Sequence, residues 1–396
     1  MYKVVAGKQF VLLLSLLYNI NLLHAQGRGP ICRLNCQQSE NSNITPVDFE
    51  ENDIANVYLN NIKNLYGAFG QKCFIQSYDQ KNAKSYLGDN LAHMIVVDRP
   101  YYENRFNTEK EKKAVLIYVI AHEFAHCLHG DGMYDPGASL YSNYTHEVYA
   151  DEEAGYALGK LTDVDIDFID HALPKILCTE RTTTHPEVLY RVMAVKGGWM
   201  RAKMSGQVSG SKRVIGFNTY TTYTSQNSEA SKIYTKIYQI NNDGKADGLS
   251  ATFHTFSKDI KIEEYKTGEV NGPAFGIVTI PKDEYGQHFI WIGTKKDTTL
   301  LGNNFWAWDL GSWIRNEALP DGNFTGESHL PTGDVYIGQW NKEGRTFGKC
   351  IYTNGEIYLG QWGLNRKRNG IGVLYKADKI IHEGIWKDDE FCAACK

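Results

Sequence analysis

Beyond its first 25 residues the chain has no long uncharged apolar run, so nothing in residues 26–396 reads as a membrane-spanning helix. It has no excess of basic charge: 42 lysines and arginines stand against 46 aspartates and glutamates, a formal net charge of -4. That balance gives no electrostatic reason to expect nucleic acid as a main partner. There is one CxxC, at Cys392 and Cys395, and no second to complete a four-cysteine zinc site, so the pair reads as a small terminal disulfide loop. Tyrosine (25) and glycine (37) are plentiful, as in β-structure with many tight turns, and 396 residues suffice for two domains.

The first 25 residues read as a secretory signal peptide. Lys3 and Lys8 precede a short apolar run, Phe10 to Leu17, and Ala25 offers a small residue before a cut at Gln26. Asn19 and Asn21 interrupt a stretch already too short to span a bilayer. The expected location is therefore outside the cytoplasm: periplasmic, cell-surface or extracellular. All eight cysteines, Cys32, Cys36, Cys73, Cys127, Cys178, Cys350, Cys392 and Cys395, follow this segment, and an even number in an exported chain favours disulfides. Cys73, Cys127 and Cys178 fall in one region, so one of the three pairs outside it or stays free. Asn43, Asn143 and Asn323 lie in N-x-S/T sequons.

The pattern predicts an α+β protein. A leader spans 26–48, a mainly helical part with a small sheet 49–205, a β-rich part 206–321, a repeat region 322–391 and a tail 392–396. Ile54, Tyr58, Ile62 and Leu65 share one helical face. Residues 92–97 read as a strand, and as the edge on which an extended peptide would lie. Residues 109–129 read as a long helix ended by Gly130, 145–160 as another stopping near Gly159, and 186–204 as a third. A boundary is expected near 205–212. Tyr336-Ile-Gly-Gln-Trp340 then recurs as Tyr358-Leu-Gly-Gln-Trp362 and, more loosely, as His382-Glu-Gly-Ile-Trp386. This unit resembles the MORN repeat, a β-hairpin module that stacks into an extended sheet. The resemblance is good from about 322 to 390 and degenerate from about 240 to 320. Stacking is what such hairpins need, because one alone cannot bury its apolar face.

The chemistry concentrates in His122-Glu123-Phe124-Ala125-His126, an HExxH motif. Residues four apart share a helix face, so both imidazoles can reach one Zn²⁺, with Glu123 beside them as a general base. A chance match on an amphipathic helix is the bland alternative. Against it, an apolar run buries this helix, and an unpaired buried glutamate is costly. Catalytic zinc needs a third ligand and keeps one open position. Glu147 can bind the metal, and Asp151, one turn on, can fix a ligand histidine's tautomer. His129 and His146 are near but break the ligand geometry and read as surface histidines, and Cys127 reads as core or disulfide.

HExxH followed by Glu-x-x-Ala-Asp-x-x-Ala-Gly, Glu147 to Gly155, resembles gluzincin metallopeptidases of the HtpX and CAAX-prenyl-protease type. Thr184-His185-Pro186 with Arg191 is similar to their His-Pro-x-x-x-x-Arg element, and Asn82-Ala83 more weakly to their Asn-Ala segment. The resemblance covers about 50–200. It implies His122, His126 and Glu147 as ligands of one zinc ion per chain, Glu123 as base, and His185 and Arg191 as active-site helpers. Many members carry transmembrane helices that this chain lacks, which puts a membrane-embedded or prenylated substrate in doubt. The expected function is zinc-dependent endopeptidase hydrolysis of a protein or peptide. The repeats would serve targeting or substrate binding, through a lipid surface or a protein partner. The competing class is a non-enzymatic binding protein whose zinc site is structural; an intact Glu123 argues against it.

Overall fold

The computed structural model of the chain describes residues 47–48, 50, 53–68, 70–77, 83–87, 93–129, 139–177, 181–182, 185–226, 233–254, 259–279, 286–377 and 379–395. The expected signal peptide, Cys32, Cys36, Asn43, Asn82, Gly130, Cys178 and Thr184 lie outside them.

Two kinds of structure follow one another. Strands β1 (Val47–Asp48), β2 (Cys73–Ser77), β3 (Ala83–Leu87) and β4 (His93–Val97) form a small sheet in the order β1-β2-β4-β3. Around it stand helices α1 (Ile54–Leu65), α2 (Arg99–Glu103), α3 (Glu109–His129), α4 (Leu140–Leu161), α5 (Ile166–Ala172) and α6 (Val188–Met204). From Lys212 onward the chain is β-structure, a 16-stranded antiparallel sheet from β5 (Lys212–Ile215) to β20 (Glu390–Phe391). The α+β expectation holds at this level.

The expected edge strand is not an edge. β4 lies between β2, its parallel partner, and β3, its antiparallel one. Ile95, Val96 and Val97 are all buried, as a run of apolar residues without alternation requires when both faces and both edges are covered. Among the described residues β3 pairs only with β4 and is one of the two edges, β1 being the other.

Helices α4 and α6 cross at backbone contact. A Cβ at Gly155 would overlap the Val195 carbonyl, and one at Gly198 the Glu152 carbonyl. Gly159 does not stop α4, which runs on to Leu161; it packs on Ala202 and Trp199 of α6. Glycine costs helix propensity, and its return here is the close approach that brings polar side chains of the two helices into one buried space.

The apolar core does not break at 205–212. Tyr220, Ala251, Ile262, Phe275, Ile290 and Phe305 of the long sheet share one cluster with Trp199, Val195 and the residues of α3 and α4. The Trp199 ring meets Tyr220 edge-on at 6.0 Å, and its Nε1 donates to Val164 O at 3.1 Å. A second, separate core begins further on, with Tyr336, Cys350, Tyr358, Trp362, Leu374 and Trp386.

That second core explains the repeated motif. Gly326, Gly338, Gly348, Gly360, Gly372 and Gly384 pair across successive strands in one row. The Tyr336 ring lies across Gly338 and Gly348 and the Tyr358 ring across Gly360 and Gly372, where a Cβ at any of the four would strike it. Their hydroxyls donate to Gln339 O and Gln361 O, both at 2.9 Å. Trp362 packs edge-on to Tyr358 of its own unit at 5.1 Å and to Tyr336 of the one before at 5.6 Å, and Trp386 likewise meets His382 of its own unit and Tyr358 of the one before.

Candidate metal centre

Helix α3 carries His122, Glu123 and His126. Glutamates Glu109 and Glu111 favour its positive N-terminal end, and the apolar run from Ala114 to Ala121 is buried throughout. The four-residue spacing places the two imidazoles one turn apart, ring centroids 4.9 Å and Nε2 atoms 3.3 Å from each other. Helix α4, capped by Ser139, brings Glu147 against them. Glu147 Oε2 is 3.3 Å from His122 Nε2, and Oε1 is 3.6 Å from His126 Nε2. One donor atom from each of His122, His126 and Glu147 lies within 4.8 Å of the others. The expected triad is therefore brought together.

Asp151, fully buried, stands behind it. Its Oδ1 is 3.0 Å from His122 Nδ1, so the ring turns Nε2 toward Glu147 and His126. Arg191 reaches across the helix crossing to Asp151, Nε to Oδ2 at 2.8 Å and Nη2 to Oδ1 at 3.0 Å, and Nη2 is 3.6 Å from Glu147 Oε2. His185 Nε2 lies 2.9 Å from Glu147 Oε2. Glu123 is half-buried on the same helix as the histidines. His129 is exposed, and Cys127 points to Cys73 rather than to the cluster.

Two tyrosines missed in the sequence complete the arrangement. Tyr118, one turn before His122, donates its hydroxyl to Asp151 Oδ1 at 2.6 Å. Its position four residues before His122, a candidate metal ligand, is the signal that could have found it, although it sits in an apolar run where an aromatic reads as core. Tyr144 donates to Thr182 O at 2.6 Å, while Thr182 Oγ1 accepts from His185 N at 2.9 Å. The same Tyr144 ring packs on Phe305 of the long sheet, centroids 5.4 Å apart. The segment that carries His185 is thus tied to α4 and, through it, to strand β12 (Thr299–Trp308).

Burial lowers the His122 pKa, but Asp151 and Glu147 outweigh it and hold the imidazole up at about 10. Burial pushes the Glu147 carboxyl up, but His185, His122 and His126 hold it well below the usual range. For Asp151 burial is again opposed, chiefly by Arg191 and then His122, and the carboxyl is held at about 2. Two carboxylates backing two imidazoles favour positive charge among the ring nitrogens. Two histidines and one carboxylate are also a donor set that zinc takes. Compared with known proteins, the chain matches no family model and no curated protein sequence.

Proposed function

We propose that this chain is a zinc-dependent endopeptidase of the gluzincin type. The observation that carries the reading is the convergence of His122, His126 and Glu147, with Asp151 fixing His122 and Glu123 next to it on the same helix. Zinc held by these three residues would lower the pKa of a water molecule and polarise the scissile carbonyl. Glu123 would serve as the general base for the attacking water and as the proton donor to the leaving amine. His185, beside Glu147, is the donor for charge developing on the carbonyl oxygen. Arg191 spends its fork on Asp151 and acts as a positioning residue. Substrate in extended form adds to the β3 edge, in place of the strand at 92–97. The MORN-like sheet then serves as a recognition surface for a protein partner or a lipid surface, on an exported protein.

The test is metal content together with hydrolysis of an unstructured protein such as casein. Wild-type chain is expected to hold about one zinc and to cleave. Glu123→Gln should keep the metal and lose turnover by at least about 10²-fold. Zinc binding without any cleavage by the wild type would favour the structural-zinc, binding-protein reading instead. Undiminished turnover in Glu123→Gln would remove that residue as the base.

A further inference from the structure

We propose that Cys73 and Cys127 form a structural disulfide that staples the small sheet to the helix carrying the two histidines. Cys73 opens β2, and Cys127 follows His126 directly on α3. Their Sγ atoms lie 3.4 Å apart, and both side chains are 1% exposed. That is inside the sum of two sulfur van der Waals radii, and a bond needs a further approach of about 1.4 Å, within reach of small changes in the two χ1 angles. The surroundings already hold the two backbones in register. Cys73 N donates to Gln71 O at 2.9 Å, Gln71 Nε2 donates to Cys127 O at 3.4 Å, and Lys63 Nζ donates to Cys73 O at 2.5 Å. Cys350, also buried, belongs to the separate repeat core and pairs with neither. The inference does not depend on peptidase activity.

The chemistry balances as a two-electron exchange. Each thiol loses its proton, one S–S bond forms, and the electron pair passes to an external disulfide, of glutathione or of an oxidising protein, which is split into two thiols. Neither sulfur is accessible in the folded chain, so the exchange precedes docking of β2 on α3. The bond then closes a loop of 54 residues in sequence separation, long enough for a sizeable entropic effect on the unfolded chain. It also makes the last turn of α3, with His126 on it, continuous with the sheet whose edge is β3.

The test is thiol mapping of the full chain produced in an oxidising compartment. Free thiols are alkylated after denaturation, the sample is reduced, and the newly freed thiols are labelled with a second reagent. Cys73 and Cys127 should take only the second label and appear before reduction as one cross-linked peptide pair, 2 Da lighter than the sum of the two thiol forms. Cys350 should take the first. First-label alkylation of both Cys73 and Cys127, or linkage of either to another cysteine, would overturn the assignment. As an independent measurement, the same chain made in a reducing cytosol should unfold about 10 °C lower. An equal Tm with the bond present in one sample only would show that it staples nothing.

Discussion

Asp151 has no exposed surface and touches three polar side chains at once: Tyr118, His122 and Arg191. Asp151→Asn would leave the buried Arg191 charge only the more distant Glu147, 3.6 Å away, a loss expected to cost about 3 kcal/mol. The same change should weaken metal affinity by about 10–100-fold, because the His122 ring loses the partner that orients it. Urea unfolding and competition with a chelator read the two effects separately. Tyr118→Phe should be milder, about 1–2 kcal/mol, because Arg191 and His122 still satisfy the carboxylate. Equal losses in the two variants would contradict the arrangement. At this scale the sequence was most readable where helix spacing alone fixes neighbours: 122 with 126, and 147 with 151. Tyr144 was not readable, because its partner Thr182 lies in another segment and its ring packs on a strand more than 160 residues away.

The α4–α6 crossing is the element that makes the centre possible. Gly198→Ala would drive a methyl group into the Glu152 carbonyl and force the helices apart, pulling Arg191 from Asp151. Loss of several kcal/mol is expected, about 3 or more. An exposed control on α4, Lys160→Ala, should stay within about 1 kcal/mol in thermal unfolding. The same crossing buries Glu152 beside a half-buried Glu153, and both share the Arg201 guanidinium. Burial is the larger effect and, despite Arg201, raises the Glu152 pKa to about 7 from 4.5. A raised pKa means that the folded state binds its proton more tightly than the unfolded one. This stabilisation is complete below pH 4.5 and is lost as pH rises through about 7. Urea midpoints should therefore decline across that window in the wild type and decline less in Glu152→Gln; parallel curves would refute the shift. The helices themselves were legible from apolar periodicity. The glycines at 155, 159 and 198 were not, because glycine reads locally as a stop and only the partner helix shows why it is there.

Over the whole molecule, the sheet is structural support for the centre as well as an appendage to it. Phe305 packs on Tyr144, and Ile262 lies where a Cβ on Gly197 of α6 would be. A chain ending at residue 205 would expose the apolar faces of α4 and α6 and should be insoluble or lose cooperative unfolding. One ending at residue 330 removes only the second core, from Tyr336 onward, and should keep a cooperative transition and the same metal content as the full chain. A soluble, metal-loaded 1–205 fragment would show that the first strands are dispensable. The composition shift at 205–212 was plain in the sequence. That apolar packing continues across it was not, since alternation along a strand reveals a buried face without naming what covers it.

Every strand from β5 to β20 pairs only with its neighbours in sequence. Each step of assembly therefore closes a short turn, and its entropic cost does not grow with the number of strands already laid down. Length becomes a free variable. Adding or removing one hairpin at the far end would shift the outermost strand by about 10 Å, two strand spacings, and leave every contact around Glu147 unchanged. The meander is in this respect a ruler graduated in hairpins, read outward from the strands that pack against the helices.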